Sequence, residues 1–166
     1  KEREENGKFK SINDFIYRVN PKDINKLQLE GLVKAGAFDN LNKNRQSIFN
    51  AIPNLITKSK NNFDNKSTNQ IDLFGNTVIE SEDLIPSIED WEFEERLAKE
   101  FESVGFFVSD HPLNQYKDIY SDHDIKNYDY FYDKTEIKSS NIAATVLKVQ
   151  EKKTNKGTPY AIIKFS

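Results

Sequence analysis

The sequence predicts a mainly α protein with a small β part at its C-terminal end. Apolar side chains recur three or four residues apart over much of the first 104 residues, which is the spacing of helices that bury one face. Near the C-terminus, two strand-like stretches flank the turn sequence KKTNKG. With 166 residues, the chain can build one core of ordinary size or two small ones.

Composition excludes several classes of protein. Hydrophobic residues make up 36 % of the chain, charged residues 31 %, and the mean hydropathy is -0.76. No apolar run approaches the roughly 18 residues of a membrane helix, and the first residues lack the apolar core of a signal peptide. The absence of cysteine excludes disulfides, thiolate nucleophiles and sulfur-ligated metals. We therefore expect a cytoplasmic protein with no membrane partner and no redox chemistry.

Charge is distributed unevenly along the chain. Residues 1–60 hold 12 basic and 7 acidic side chains, residues 61–136 hold 6 and 19, and residues 137–166 hold 6 and 1. Phosphates are attracted by basic surfaces and repelled by acidic ones, so any polyanion binding belongs to the two ends. Charge alone leaves open the simpler interpretation that these are solvated surfaces.

The first segment is predicted to form short helices joined by sharp turns. Ser11 caps one helix, Pro21 with Asp23 opens the next, and Gly36 ends that helix in the left-handed conformation before another helix follows at once. The middle helix has a broad apolar arc, which predicts that it is wedged between neighbours. This arc comprises Ile24, Leu27, Leu29, Leu32, Val33 and Ala35.

A further helix follows the pattern i, i+3, i+4, i+7, i+8. Its apolar positions are Ile48, Ala51, Ile52, Leu55 and Ile56. Pro53 removes a backbone donor, which predicts a kink or a restart near Asn50. The polar stretch from Lys58 to Asn69 is predicted to be a loop or a disordered linker.

Glycine turns between helices point backbone N–H groups outward, where they can donate to a DNA phosphate. One such turn includes Gly36, with basic and amide side chains nearby at Lys34, Lys43, Asn44 and Arg45. Another includes Gly7, followed by Lys8 and Lys10. Many helical pairs use a C-terminal glycine without binding DNA, so a purely structural interpretation stays open.

An apolar group stands alone in the polar linker, in the sequence STNQIDLFGNT at residues 67–77. An extended segment with Gln70, Leu73 and Phe74 can place two apolar side chains in a partner's pocket while the amide bonds at its rim. The alternative is a plug that packs Leu73 and Phe74 onto the chain's own helices.

Beyond the linker, Asp90 is predicted to cap a helix that packs Phe93, Leu97, Phe101 and Val104 on a core. The following GFFVSDHPL is predicted to be strand-like. His111 and His123 lack ligands at a regular spacing, so we predict no metal site. The sequence DHD at residues 122–124 lacks the strands and the basic cluster of a catalytic two-metal site, and we reject it as one.

The C-terminal segment is predicted to alternate from Ile142 to Val149, with Val146 and Lys148 on one face and Leu147 and Val149 on the other. Basic side chains with an aromatic neighbour suit a surface for single-stranded nucleic acid, although a solvated basic hairpin is also possible. These residues are Lys148, Lys152, Lys153, Lys156 and Tyr160.

Taken together, these stretches resemble the C-terminal region of the alpha subunit of bacterial DNA polymerase III. The sequence QIDLF resembles the family's sliding-clamp motif, and FKSINDFIYRVNPKDINKLQLEGLVKAGAFD resembles its tandem helix-hairpin-helix domain. WEFEERLAKEFESVGFFVSDHPL is similar to its clamp-proximal helix, and IAATVLKVQEKKTNKGTPYAIIKF to the first strands of its OB domain. Asp110 departs from the glycine that the family commonly has there.

The resemblance implies four segments and a set of functional residues. Residues 1–60 would form an N-terminally truncated helix-hairpin-helix DNA-binding domain, 61–88 a clamp-binding linker, 89–136 a connector, and 137–166 a truncated OB-fold. The clamp-binding residues would be Gln70, Asp72, Leu73 and Phe74. The chain opens without Met and stops within a strand, so we expect a fragment of a larger protein.

As implied by the family, the parent protein would be a replicative DNA-directed DNA polymerase, with its catalytic aspartates and magnesium ions in a palm domain upstream. This fragment would need no cofactor and would not catalyse alone. Its partners would be the sliding clamp, double-stranded and possibly single-stranded DNA, and other holoenzyme subunits. Two alternatives remain: an error-prone paralogue of the polymerase, and a non-catalytic DNA-binding accessory protein.

Overall fold

The computed structural model describes residues 1–68, 85–133 and 138–166. The predicted clamp motif, with Gln70, Asp72, Leu73 and Phe74, lies outside the described residues. The chain divides into two compact units, Lys1–Ser109 and Asp110–Ser166. The predicted mainly α fold with a small β part is confirmed, whereas the four-segment division remains a prediction.

Helices dominate the first unit. They are α1 (Glu2–Asn6), α2 (Ile12–Arg18), α3 (Lys26–Lys34), α4 (Arg45–Thr68) and α5 (Phe93–Val104). The second unit contains a 3₁₀ helix (Pro112–Tyr116), α6 (Lys117–Asp122), α7 (Tyr128–Tyr132), and the antiparallel strands β1 (Val146–Lys153) and β2 (Pro159–Phe165). In the described part of the chain, no helix is both long enough and apolar enough to span a bilayer.

The core of the first unit forms where α2 and α3 pack against the N-terminal half of α4. Buried apolar residues in it are Ile12, Phe15, Ile16, Leu29, Val33, Phe38, Ile48, Ala51, Ile52, Leu55 and Trp91. The apolar stripe predicted for α4 therefore does face the core. The predicted cap of α2 is also confirmed, because Ser11 Oγ accepts the Asp14 N–H at 3.0 Å.

Helix α3 differs from its prediction at both its start and its packing. It begins at Lys26, after a reciprocal cap in which Asn25 and Gln28 each accept the other's backbone N–H at 2.9 and 2.8 Å. This cap, not Pro21 and Asp23, starts the helix. The helix packs against both α4 and α5, as a position between neighbours requires, but Leu27 is 77 % exposed, so the predicted apolar arc is only partly buried.

Helix α4 corrects two predictions about the polar sequence. It does not restart near Asn50 but continues through Pro53 to Thr68, so the stretch predicted as a loop is helical to that residue. The proline is on the exposed side and costs one backbone bond, while the buried residues around it keep the helix in place. Once such a helix is anchored, each further residue adds a hydrogen bond, so polar residues extend it.

The turn after α3 has the predicted left-handed glycine, with φ +77° at Gly36. The Gly36 N–H donates to Val33 O at 3.0 Å and the Ala37 N–H to Leu32 O at 2.9 Å, which is a Schellman motif. The next helix does not follow at once. It begins only at Arg45, after a turn region that buries Phe38 in the core.

In the second unit, the β hairpin is shorter than predicted. Strand β1 begins at Val146, not Ile142, and an irregularity at Leu147 breaks the predicted alternation. As a result, Val146 and Val149 share one face, because they lie opposite Phe165 and Ile163. A two-stranded hairpin agrees with the expected first strands of an OB domain.

Asp110, which stands where the family commonly has glycine, forms local hydrogen bonds. Its Oδ1 accepts the His111 N–H at 2.7 Å and also the Asn114 side-chain amide, so it helps to cap the 3₁₀ helix. These bonds, above all the one from Asn114, lower the pKa of the carboxyl. A glycine could not supply this acceptor.

Candidate nucleic-acid interface

Two glycine turns define the candidate interface in the first unit. Gly7 follows α1 with φ +76°, and Gly36 follows α3 with φ +77°. An arginine closes each turn by donating to a backbone carbonyl: Arg18 Nη2 to Gly7 O at 3.0 Å, and Arg45 Nη1 to Lys34 O at 3.1 Å. The chain thus uses the same device twice, although the two turns differ in what they leave exposed.

The turn at Gly7 presents basic groups to solvent. Lys8 and Lys10 are exposed, and neither is ion-paired with any residue that the structure describes. Three of the nearby acidic side chains are occupied, since Arg18 contacts Glu2 at 2.9 Å and Asp14 at 3.1 Å and the amino terminus contacts Glu4 at 3.1 Å, while Glu5 is exposed. The two lysines predicted to bind DNA are therefore available on this surface.

The turn at Gly36 is closed from within by Arg45. This side chain is 2 % exposed, bonds to both carboxylate oxygens of Asp39 at 2.8 and 2.7 Å, and bonds to Glu100 Oε1 at 2.7 Å. Burial acts to lower the pKa of Arg45, but the hydrogen bonds that it donates to Asp39 and Glu100 raise it overall. The structure does not bring Arg45 to the surface where a phosphate could reach it.

Glu100, a fully buried residue of α5, holds the other side of this arginine. Its second oxygen accepts the backbone N–H groups of Val108 and Ser109 at 2.9 and 3.0 Å. Burial acts to raise the pKa of Glu100, yet these donors, the Ser109 hydroxyl and Arg45 lower it overall. Because the chain folds back onto Glu100 here, the strand predicted for GFFVSDHPL does not form.

The backbone N–H groups at the N-terminus of α4 also donate to side chains of the protein. Asp90 Oδ1 accepts the Gln46 N–H at 2.9 Å, and Asn44 Oδ1 accepts the Ser47 N–H at 2.9 Å. Asp90 was expected to cap α5, whose N-cap residue is Glu92 and makes no side-chain cap bond. These donors of the second hairpin are thus satisfied by the protein, whereas the sequence predicted that the hairpin would offer its donors to phosphate.

The remaining predicted residues of this hairpin differ in exposure. Lys34 is 17 % exposed at its side chain and pairs with Glu102 at 3.0 Å. Lys43 is exposed and forms no ion pair among the described residues. Lys8, Lys10 and Lys43 are therefore the predicted cations of the first unit that the structure leaves accessible.

In the second unit, Lys152, Lys153 and Lys156 are all exposed, as is Tyr160 at 44 %. The register places Lys152 opposite Tyr160 and Lys148 opposite Lys164, on one face of the hairpin. Lys153 lies on the opposite, mostly apolar face. The structure therefore places Lys148, Lys152 and Tyr160 on one face of the hairpin and Lys153 on the other.

The histidines have structural contacts. His111 Nδ1 accepts the Leu113 N–H at 3.2 Å, and its Nε2 lies 2.9 Å from Ser166 Oγ. His123 ends α6. Among residues 1–68, 85–133 and 138–166, no cluster of acidic or histidine side chains could hold a metal ion.

The sequence did not predict the ion network around Arg45, in which Arg45 and Glu100 are buried and Asp39, Asp90 and Arg96 are partly exposed. Arg96 joins the network by contacting Asp39 at 3.0 Å and Asp90 at 3.5 Å. One signal was present in the sequence. Glu100 lies three residues after Leu97 and four before Val104, which places a carboxylate on the stripe assigned to the core.

The geometry of the first unit, with paired helices around glycine turns, is that of a helix-hairpin-helix protein. In agreement, the family model for the helix-hairpin-helix motif matches residues 1–48. Curated relatives identify the larger context. The chain is similar, over nearly all of its length, to a region of the alpha subunit of bacterial DNA polymerase III, as its sequence predicted.

DNA polymerase III subunit alpha of Borreliella burgdorferi is 35 % identical over 171 residues, which cover 98 % of this chain and 15 % of that protein. The subunit of Rickettsia prowazekii is 43 % identical over 121 residues, or 72 % of this chain and 10 % of that protein. The subunit of Campylobacter jejuni is 36 % identical over 118 residues, covering 69 % and 10 %. The chain therefore spans at most 15 % of the length of these three relatives.

Proposed function

We propose that this chain is a DNA-binding and clamp-binding region of a replicative DNA-directed DNA polymerase in the bacterial cytoplasm. The observation that carries the proposal is the turn at Gly7, within the stretch that matches the helix-hairpin-helix motif, where Lys8 and Lys10 are exposed. Its function is to hold the polymerase on duplex DNA while nucleotides are added by another part of the protein.

The accessibility of its cations favours the first hairpin over the second as the main phosphate contact. A phosphate needs accessible cations and donors that are not already satisfied. At the second hairpin, Asp90 places a carboxylate on the first turn of α4 and Arg45 is buried. Lys43 is the exposed cation beside that turn and contributes a weaker, peripheral contact.

The proposed clamp contact rests on the sequence of residues 70–74. Gln70, Asp72, Leu73 and Phe74 would enter a pocket of the sliding clamp, while the hairpin contacts DNA. Two weak contacts on one chain act through effective concentration, which makes synthesis processive without a tight single site. We also propose that Lys148, Lys152 and Tyr160 bind single-stranded DNA. Other holoenzyme subunits are further proposed partners of the chain.

DNA binding can be tested by titrating labelled duplex DNA with the native chain and with a Lys8→Ala/Lys10→Ala variant, using fluorescence anisotropy at several salt concentrations. We expect weaker binding and a fall of about 1.8 in the magnitude of the log–log salt slope, since each phosphate contact adds about 0.9. A Lys26→Ala/Lys99→Ala variant removes the same charge from positions that pair with Glu30 and Glu95. Equal losses in both variants would show that only net charge matters.

Clamp binding can be tested with a labelled peptide of residues 65–80 titrated with a bacterial sliding clamp. Saturable binding that is lost in a Leu73→Ala/Phe74→Ala peptide would support the tether. If the two peptides behave alike, the apolar group is a packing plug and the proposal reduces to DNA binding. An error-prone paralogue with a similar C-terminal region is the alternative, and sequence upstream of this region would separate the two polymerases.

A further inference from the structure

Helix α7 in the second unit carries an aromatic cluster that neither the candidate interface nor the core uses. The cluster comprises Tyr128, Tyr130, Phe131 and Tyr132, which are 61, 39, 37 and 72 % exposed. The rings of Tyr128 and Tyr132 stack, with centroids 5.8 Å apart and an interplanar angle of 29°. Asn127 caps the helix by accepting the Tyr130 N–H at 2.9 Å, so the rings are held on an ordered turn.

The sequence around these rings is rich in carboxylates. Residues 118–133 contain five aspartates and a single basic residue, Lys126, which is paired with Asp124. Asp129 on α7 and Asp133, which directly follows the helix, are four residues apart, each next in sequence to one of the stacked tyrosines, and both are exposed. A stripe of tyrosines and a stripe of carboxylates therefore run side by side.

The placement of the acidic residues is unfavourable for the isolated fold. The C-terminal end of a helix carries partial negative charge and is stabilised by cations. Yet α6 ends in Asp122, α7 is followed by Asp133, and neither helix has a basic residue in its last turn. A cation from outside would relieve this repulsion at both ends.

The cluster already accepts a cation. Lys126 Nζ lies 5.8 Å from the centroid of the Tyr130 ring, at the distance of a cation–π contact. Arginine stacks on aromatic rings better than lysine and bonds carboxylates with two parallel N–H groups. Nucleic acid does not fit this surface, because its phosphates would meet the aspartates.

We propose that Tyr128, Tyr132, Asp129 and Asp133 form a docking surface for an arginine-bearing segment of a partner protein. One guanidinium stacks on the paired tyrosine rings while its N–H groups donate to the adjacent carboxylates. The charge complementarity and the preformed ring stack identify the partner's chemistry. The surface is independent of the proposed DNA and clamp contacts.

The test uses the whole chain and a labelled peptide of alternating arginine and alanine, followed by fluorescence anisotropy. We expect saturable binding that is stronger than for the lysine counterpart and absent for the glutamate counterpart. Tyr128→Ala/Tyr132→Ala and Asp129→Asn/Asp133→Asn should each weaken binding about tenfold, which corresponds to about 1.4 kcal/mol. Tyr128→Phe/Tyr132→Phe keeps the rings and should bind as the native chain does.

Two matched controls make the test decisive. Tyr17→Ala removes another exposed tyrosine, and Asp23→Asn/Glu94→Gln removes two exposed carboxylates from the first unit. If these controls lose as much affinity as the α7 variants, the peptide binds by net charge and the proposal fails. It also fails if the tyrosine pair is needed for duplex DNA binding or for self-association of the chain, since the occupant would then be DNA or a second copy.

Discussion

Arg45 Nη1 lies 2.7 Å from Glu100 Oε1, and both side chains are almost completely excluded from solvent. The pair joins the start of α4 to the middle of α5, across 55 positions of sequence. Around it, Asp39, Lys34 O and two backbone N–H groups satisfy the remaining donors and acceptors. Such a pair is costly to break, because removing one partner leaves an uncompensated buried charge.

We therefore expect Arg45→Ala to lower the free energy of unfolding by about 3–5 kcal/mol, as for other broken buried pairs. A double variant, Arg45→Met/Glu100→Leu, should recover much of this loss because it removes both charges and fills the space. Urea denaturation followed by circular dichroism measures both values. Lys43→Ala, at an exposed neighbouring position, should change stability by less than about 0.5 kcal/mol. A similarly small effect of Arg45→Ala would contradict the importance of the network.

The lowered pKa of Glu100 predicts a pH dependence of stability. Its pKa is below the ordinary value of 4.5 in the folded protein, so the folded state holds this proton less tightly than the unfolded state. The stabilisation is fully present above pH 4.5 and is lost as the pH falls through the folded-state pKa. The free energies of unfolding of the native chain and Glu100→Gln should thus converge as the pH is lowered from 7 to below 4.5. Parallel curves over that range would show that another group dominates.

The two glycine turns provide a matched pair of substitutions. Both glycines have positive φ, and Gly7, with ψ -175°, lies in a region that is essentially restricted to glycine, so alanine strains either turn by about 1–3 kcal/mol. At Gly7 nothing lies within 4 Å of the added Cβ, whereas at Gly36 it would be 2.2 Å from Arg45 Nη2. We expect Gly7→Ala to cost only the strain and Gly36→Ala about 2–4 kcal/mol, since the guanidinium is held by four bonds. Equal costs in thermal unfolding would mean that Arg45 moves freely.

Asp90 caps α4 with its side chain, whereas Glu92 at the start of α5 makes no such bond, so the two residues can be compared by substitution. Asp90→Ala should destabilise the protein by about 1 kcal/mol, because the Gln46 N–H at the start of α4 loses its acceptor. Glu92→Ala, at the N-cap of α5 where no side-chain bond is made, should be nearly neutral. Chemical denaturation of the two variants measures the difference. If Glu92→Ala proved the more harmful, the assignment of the cap would be incorrect.

The sequence by itself determined the features that depend on residues close together along the chain. Local periodicity identified the buried stripe of α4, the Ser11 cap required only its own helix, and Gly36 was the residue suited to a left-handed turn. The strand β2 was also predictable, because a turn with Gly157 precedes it. The ordered set of motifs was sufficient to indicate the polymerase III alpha subunit.

Only the tertiary structure decided which polar groups face inward. Arg45 belonged by type and position to a DNA-binding turn, but Asp39 and Glu100 converge on it and place it inside the protein. Asp90 was next to α5 in sequence and caps α4 in space. The pairing of Arg45 with Glu100 joins residues 55 positions apart and that of Asp90 with Gln46 residues 44 apart, and no local pattern encodes either of them. Burial then decides the outcome, because a charge removed from water must find its partner within the fold.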